Sequence, residues 1–99
     1  GLLELRGPAF GGRFAGAILV VRYSAGDDVL LLRTNARGDV TDVVSNVTGL
    51  TGFTDPLDIA EDPRTGNLYL AEFGGQRITL LRPIAGSSQV YVQPVATRP

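Results

Sequence analysis

The chain lacks cysteine, histidine, lysine, methionine and tryptophan altogether. Without cysteine or histidine, its own residues cannot build a thiolate nucleophile, a zinc-finger site, an imidazole base or a Ser-His-Asp triad. Without lysine, they cannot form a Schiff base with a carbonyl substrate. These absences exclude several enzyme mechanisms for this chain acting alone, and that exclusion is the firmest functional conclusion from its composition.

Strong charge of either sign is also missing. The chain has nine basic and ten acidic side chains, for a net charge of −1, and its basic residues are all arginines spread along the sequence. Proteins that bind nucleic acid or anionic membranes concentrate positive charge on one face. No apolar run approaches the roughly 20 residues that span a bilayer. The sequence therefore predicts neither a nucleic-acid partner nor a membrane span.

Residues 56–82 carry the clearest structural signal in the chain. They predict three short antiparallel strands joined by two tight turns. The first turn, at residues 62–66, combines aspartate, proline and glycine, each of which favours turn geometry. The second turn is centred on Gly74 and Gly75. Residues 67–72, between the turns, suit a pleated surface. Short strands with regular turns are typical of a β-propeller blade.

The same unit occurs twice in the chain. The matched segments are residues 16–23 with 66–73, 29–33 with 78–82, 3–5 with 57–59 and 40–44 with 90–95, with one residue gapped in a turn. Any two β-hairpins can look alike, which is the rival explanation. Matched glycines, a matched terminal arginine and a nearly constant offset favour a duplication instead. The period of roughly 50 residues is in the range of propeller and solenoid repeats.

The remaining segments complete two blades. We expect further strands at residues 2–6, 14–23, 29–34, 40–46 and 89–95, loops at 7–12 and 85–88, turns at 24–28 and 35–39, and a tail at 96–99. A buried helix is the rival for residues 14–23, but flanking glycine, paired valines and the repeat favour a strand. Pro94 limits the pairing of the last strand and suits an edge. The sequence thus predicts an all-β chain of two four-stranded antiparallel β-propeller blades, at residues 1–49 and 50–99.

Two blades alone make a poor closed object. Each blade buries its faces against neighbours on both sides, so an isolated pair leaves two apolar faces exposed. We therefore expect the remaining blades as partners, from the same protein, from another chain or from identical copies of this one.

Three loops suggest chemistry that an ordinary turn explains better. The glycines of residues 7–12 could cradle a phosphate, but the Gly-Lys-Ser/Thr of a P-loop is missing. Asp27 and Asp28 could bind calcium, but a full ligand set is absent, so we predict no metal site. Asn46 begins a glycosylation sequon, which matters only if the chain is secreted from a eukaryotic cell.

Two long segments carry a resemblance to a known family. FGGRFAGAILVVRYSAGDDVLLL and GFTDPLDIAEDPRTGNLYLAEFGGQRITLLRP resemble the C-terminal blades of the glucose/sorbosone dehydrogenase-like family. The resemblance implies a six-bladed propeller of which this chain supplies about a third. It also implies a secreted protein, extracellular or periplasmic. Some members bind pyrroloquinoline quinone and oxidise sugars.

The resemblance carries the cofactor site over poorly. In the quinone-dependent members, arginines just before the strand that corresponds to residues 57–60 hold the quinone carboxylates, and this chain has Thr54-Asp55-Pro56 there. A lysine of those members follows the strand that corresponds to residues 18–21, and Ser24 is its nearest match here. Their catalytic base is a histidine of an earlier blade. Charge-assisted bonds dominate carboxylate recognition, so we expect no cofactor in this chain and the quinone only together with other blades.

Three functions are compatible with these observations. The chain is a non-catalytic propeller part used for binding or assembly, a fragment of a quinone-dependent sugar dehydrogenase, or a two-blade sugar-binding module of which three copies close a six-bladed ring. We favour the first, because function must be argued from a site and the site is missing here.

If polar groups of this chain contact a ligand such as a carbohydrate, five residues are the candidates. Glu72, Gln76 and Arg77 lie beside the Gly74-Gly75 turn, and Asp55 and Asp58 lie near the inner strand. Ordinary solvated turn residues are the rival explanation, because polar loop residues are common on any propeller.

Overall fold

The structure, a computed structural model, describes residues 1–23, 26–84 and 90–97. In this part of the chain there is no α-helix, and the strands form two four-stranded antiparallel sheets. The all-β prediction with two four-stranded antiparallel units is therefore confirmed.

Each sheet is a meander in which every strand pairs with the next one along the chain. The first sheet contains β1 (Leu2–Glu4), β2 (Ile18–Arg22), β3 (Asp28–Thr34) and β4 (Val40–Val44). The second sheet contains β5 (Pro56–Asp62), β6 (Asn67–Glu72), β7 (Arg77–Pro83) and β8 (Val90–Thr97). A 3₁₀ turn at Ala9–Gly12 lies in the connection between β1 and β2.

One hydrophobic core lies between the two sheets. Strands β1 and β2 contact β5, and the 3₁₀ turn contacts β7. The buried apolar side chains of this core are Leu5, Ala9, Phe10, Phe14, Ala17, Leu19, Val21, Val29, Leu31, Leu50, Phe53, Ile59, Leu68, Leu70 and Leu81. Burying a side chain of leucine size contributes about 1.5–3 kcal/mol. Burial of these side chains therefore stabilises the contact between the two sheets.

The repeat alignment holds at the level of cross-strand register. Leu19 pairs with Leu31 in the first sheet, and the matched residues Tyr69 and Leu80 pair in the second. Three further pairs correspond in the same way: Ile18–Leu32 with Leu68–Leu81, Val20–Leu30 with Leu70–Thr79, and Val21–Val29 with Ala71–Ile78. The single gapped residue falls in the turn between the two paired strands, so it leaves their register unchanged.

The repeat alignment of the first strands was wrong. We matched residues 3–5 with 57–59, but Leu3 pairs with Leu19, and the equivalent pairing in the second sheet is Ala60 with Tyr69. The distance in sequence between matched residues of β1 and β5 is therefore three residues longer than in our alignment. The connection between β1 and β2 is long and contains the 3₁₀ turn, and a register shift lies between Pro56 and Asp58, so the turns do not fix this register.

The strand predicted at residues 14–23 is shorter than expected. It begins at Ile18, because Gly16 has a φ of 83° and the amide of Ala17 donates to the carbonyl of Phe14 at 2.9 Å. The side chain of Phe14 is buried in the core from this turn, edge-on to Phe10 with 5.6 Å between ring centroids. The apolar character of residues 14–17 comes from packing between sheets, which periodicity alone does not distinguish from a strand.

Three other boundaries also differ. The first strand ends at Glu4 rather than at residue 6, and β4 ends at Val44 rather than at residue 46. The last strand continues to Thr97, where we predicted a tail. The loop predicted at residues 85–88, the start of the last strand at residue 89, Ser24 and the final two residues lie outside the described part of the chain.

Candidate functional edge between the two sheets

The predicted site lies where two hairpin turns meet the connection between the sheets. We call this region the hairpin edge and define it as residues 26–28, 50–55 and 72–77. The connection binds the first sheet through the amide of Phe53, which donates to the carbonyl of Asp27 at 3.1 Å. It binds the second sheet through the amide of Phe73, which donates to the carbonyl of Asp55 at 2.8 Å. Backbone bonds therefore hold both turns to one connection.

Glu72 is the centre of the hairpin edge. It ends β6, and its side chain is 1% exposed. Both carboxylate oxygens accept from the guanidinium of Arg77 at 3.0 Å, and Oε1 also accepts from the amide of Thr54 at 2.7 Å. The hydroxyl of Thr79 donates to Oε2. A buried carboxylate is costly unless it is paired and hydrogen-bonded, and here every one of these donors belongs to the chain itself.

These contacts change the pKa of the Glu72 carboxyl. Burial acts to raise that pKa, but the hydrogen bonds from Arg77, Thr79 and the amide of Thr54 outweigh burial and hold it below its usual range. The same pair raises the pKa of Arg77. Glu72 is therefore ionised near neutral pH, and it has no tendency to act as a general acid there.

A second ion pair stands at the equivalent place in the first sheet. Arg22 and Asp28 face each other across β2 and β3, at the positions matched by Glu72 and Arg77, with the signs of charge exchanged. The guanidinium of Arg22 donates to both oxygens of Asp28 at 2.7 Å. Asp28 is buried, and its hydrogen bonds raise the pKa of Arg22. Each hairpin thus ends in one bidentate pair.

Asp55 and Gln76 complete the part of the predicted site that the structure brings together. Both have left-handed backbones, with φ of 48° and 51°. The backbone amide of Asp55 donates to the carboxylate of Asp27 at 3.2 Å. The carboxylate of Asp55 lies against Gly74, so closely that a Cβ on Gly74 would clash with Oδ2. Gln76 is exposed beside Arg77.

Asp58 does not join this group. It lies within β5 and pairs with Ala71, whereas Glu72 pairs with Pro56. Because Ala71 and Glu72 are neighbours on β6 and point to opposite faces, Asp58 lies on the face of the second sheet opposite to Glu72. One of its oxygens accepts from the amide of Ile59 at 2.9 Å. Four of the five predicted ligand residues are therefore neighbours at the hairpin edge, and Asp58 belongs to a different surface.

A cavity of about 220 Å³ opens at the hairpin edge, lined by Thr51, Gly52, Phe53, Glu72, Arg77, Thr79 and Val92. The sequence interpretation did not single out Thr54 or Thr79, because nothing local indicates that a residue distant in sequence will bind Glu72. It also passed over Phe73, whose side chain is 63% exposed in the turn itself. An aromatic residue in a polar turn is a signal that could have identified it.

Asn46 lies apart from the hairpin edge, in the connection after β4. It is exposed, has a φ of 56°, and lines a cavity of about 270 Å³ together with Arg13 and Thr48. Its side chain is therefore accessible from outside, and its glycosylation stays a prediction.

The residues at the hairpin edge do not fit a polyanionic quinone. Carboxylate recognition needs free cations, but Arg77 is already bound to Glu72, and the position before β5 is occupied by the acid Asp55. Within the described ranges, no three histidine, cysteine, aspartate or glutamate residues form a group that could hold a metal ion. Of the two acids that the sequence analysis considered for calcium, Asp28 forms an ion pair with Arg22, which neutralises its charge.

Comparison of the chain with family models, with curated proteins and with solved structures finds no match. In the residues that the structure describes, no helix is long and apolar enough to cross a membrane.

Proposed function

We propose that this chain is a non-catalytic segment of an extracellular β-propeller of the glucose/sorbosone dehydrogenase-like type, and that it acts in assembly. The observation that carries the proposal is the state of Glu72. Its carboxylate accepts four hydrogen bonds that tie β6, β7 and the connection between the sheets together. A carboxylate held in this way fixes the connection between the sheets to the second sheet, and it offers no free group for proton transfer.

The rival function is a fragment of a quinone-dependent sugar dehydrogenase. The test is to incubate the purified chain, alone and combined with the blades that complete its propeller, with pyrroloquinoline quinone and glucose, and to record quinone binding by absorbance and sugar oxidation by dye reduction. A working quinone-dependent sugar dehydrogenase, assayed in parallel, is the positive control. We expect neither binding at high micromolar quinone nor dye reduction. Saturable binding together with sugar-dependent reduction by this chain would overturn the proposal.

A second candidate function, carbohydrate binding, is favoured by Phe73. Its exposed ring lies in the same turn as Gln76, whose backbone amide donates to the carbonyl of Phe73 at 3.1 Å, and Asp55 contacts that turn from the connection. The aromatic face of Phe73, with the exposed side chain of Gln76 and the carboxylate of Asp55 near it, offers both apolar contact and hydrogen-bonding partners to a sugar ring.

A glycan array followed by titration calorimetry tests this candidate. Phe73→Ala should abolish any binding that the array detects, whereas Tyr23→Ala should leave it unchanged. Tyr23 is the matched control because it is also an exposed aromatic residue and occupies the equivalent turn position in the first sheet. No signal across the array, or equal loss in both variants, would remove carbohydrate binding at Phe73 from consideration.

A further inference from the structure

Each sheet has one face in the core and one face that the described residues leave open. On the open face of the first sheet, Leu2 is 66% exposed and Val43 is 57% exposed. Between them on that face lie Ile18, Val20, Leu30 and Leu32, all of them partly exposed. On the open face of the second sheet lie Ala60, Tyr69, Ala71, Ile78 and Leu80, with the exposed acid Asp58 on the edge strand β5. Contiguous apolar surface of this kind marks an interaction site.

The open residues match, one for one, the residues that form the core between the sheets. On the first sheet, the open residues Ile18, Val20, Leu30 and Leu32 occupy the repeat positions of Leu68, Leu70, Thr79 and Leu81, which are buried. On the second sheet, the open residues Tyr69, Ala71, Ile78 and Leu80 occupy the repeat positions of Leu19, Val21, Val29 and Leu31, which are buried as well. The chain therefore presents at each end a repeat of one side of its own internal interface.

Glu4 extends this match to one polar acceptor, although the repeat positions of its donors are Pro63, which has no N–H, and Arg64, whose amide already donates to Asp62 at 3.1 Å. Glu4 pairs with Ile18, and the equivalent residue of the second sheet is Glu61, which pairs with Leu68. Across the internal interface, the carboxylate of Glu61 accepts from the amides of Arg6 and Gly7 at 2.8 and 2.6 Å. Glu4 is exposed and has only a surface ion pair with Arg6 at 3.5 Å. Its carboxylate thus stands at the position from which Glu61 bridges the two sheets.

We propose that the two open faces bind each other in different copies of this chain. The open face of the first sheet in one copy packs on the open face of the second sheet in the next copy, repeating the internal interface. The contact is heterologous, because the two faces that meet are different. This inference rests on the proposed assembly role, in which both faces contact further blades, and it names a second copy as the partner.

Two single variants each damage one face and test this pairing. Leu30→Lys places a charge on the open face of the first sheet, and Tyr69→Lys does so on the open face of the second. A buried and unpaired ammonium group is strongly unfavourable. Every copy of a single variant carries the same damaged face, so no intact face of the first sheet can meet an intact face of the second. Head-to-tail contact therefore predicts a monomer for each variant alone. A mixture of the two restores one intact pair of faces, and it should give a dimer with one copy of each variant.

The measurement is native mass spectrometry with light scattering on the wild type, each variant and their equimolar mixture. The wild type should have one defined mass that corresponds to two or more copies of the 10.5 kDa chain. Tyr23→Lys, in a turn outside both open faces, is the control and should match the wild type. Circular dichroism establishes that each variant is folded. If one is not, Leu32→Lys or Ile78→Lys replaces it on the same face.

The outcomes separate the self-association from the proposed function. A folded wild type that stays monomeric at all concentrations, or variants that still associate when alone, would overturn pairing between copies. Neither result would contradict the non-catalytic assembly role, because blades of another chain could cover the same faces. That role is overturned separately by quinone binding with sugar oxidation. A one-to-one dimer formed only in the mixture would establish the head-to-tail contact.

Discussion

Glu72 is a charged side chain whose contacts come from three separate segments. The residue ends one strand, Arg77 and Thr79 belong to the next strand, and Thr54 belongs to the connection between the sheets. Removing one partner of a buried, hydrogen-bonded pair leaves the other groups without partners, which is more costly than the net contribution of the pair. Changes at Glu72 should therefore affect stability directly.

We predict that Glu72→Gln lowers the free energy of unfolding by about 1–3 kcal/mol, because an amide cannot accept all four hydrogen bonds and leaves Arg77 without its counter-ion. Urea unfolding followed by circular dichroism gives the value. Asp39→Asn is the control, since Asp39 is exposed, its ion pair with Arg37 is at the surface, and it lies in a turn outside both open faces. That variant should stay within about 0.5 kcal/mol of the wild type. Equal effects of the two substitutions would contradict the account of Glu72.

The pH dependence of stability should also report on Glu72. The pKa of its carboxyl is lowered in the folded chain relative to the ordinary value of 4.5. The stabilisation is therefore fully present above pH 4.5, and it is lost as pH falls through the folded-state pKa. We expect the unfolding free energy to decline below that pH more steeply in the wild type than in Glu72→Gln. Parallel declines in urea melts recorded from pH 7 to pH 3 would show that Glu72 is not the titrating group. Asp62, whose pKa is lowered by Arg64, contributes equally to both proteins.

Among the site residues, the sequence was enough to predict proximity but not burial. Asp55, Glu72, Gln76 and Arg77 lie together because one turn and the preceding connection carry them. The burial of Glu72 depends on Thr54 and Thr79, and Thr54 is 18 residues away in sequence. Asp58 was grouped with Asp55 by closeness in sequence, but the alternation of side chains along β5 places it on the other face.

At the scale of elements, the two central hairpins could be predicted and the first strands could not. The hairpins β2–β3 and β6–β7 join strands that are close together in the sequence, and the length of the connection determines the register of the strands that it joins. The connection from β1 to β2 runs over residues 5–17, and its apolar residues are explained by packing against the other sheet. Its 3₁₀ turn, and therefore the register of β1, follows from contacts that the local pattern does not contain.

Gly66 tests the contact between this connection and the second sheet. It has a φ of 78°, and an added Cβ would lie 2.7 Å from Cδ of Pro8. Gly38 has a φ of 86° with open space around its Cα, so Gly38→Ala has only the backbone cost of about 1–2 kcal/mol.

We predict that Gly66→Ala lowers the free energy of unfolding by at least 1 kcal/mol more than Gly38→Ala does, because the methyl group displaces Pro8 as well. Thermal and urea unfolding of both variants supply the comparison. Similar losses would mean that the two segments are not in close contact.

At the scale of the whole molecule, the internal repeat decides what the two open faces are. Stacked repeats bury a continuous core only through their neighbours, and here equivalent repeat positions are buried in the sheet where the other sheet covers them and open in the sheet where it does not. The sequence predicted two open faces from the existence of two blades. The structure identifies their residues, because burial shows which side of each strand faces the core.

The central claim is that these faces associate. Light scattering of the purified chain, measured over a range of concentrations with the folded state monitored by circular dichroism, tests it most directly. We predict one defined mass that corresponds to two or more copies of the 10.5 kDa chain. The Leu30→Lys variant should have the mass of a single chain. A folded wild-type chain with the mass of one copy at every concentration would contradict the claim of association between copies.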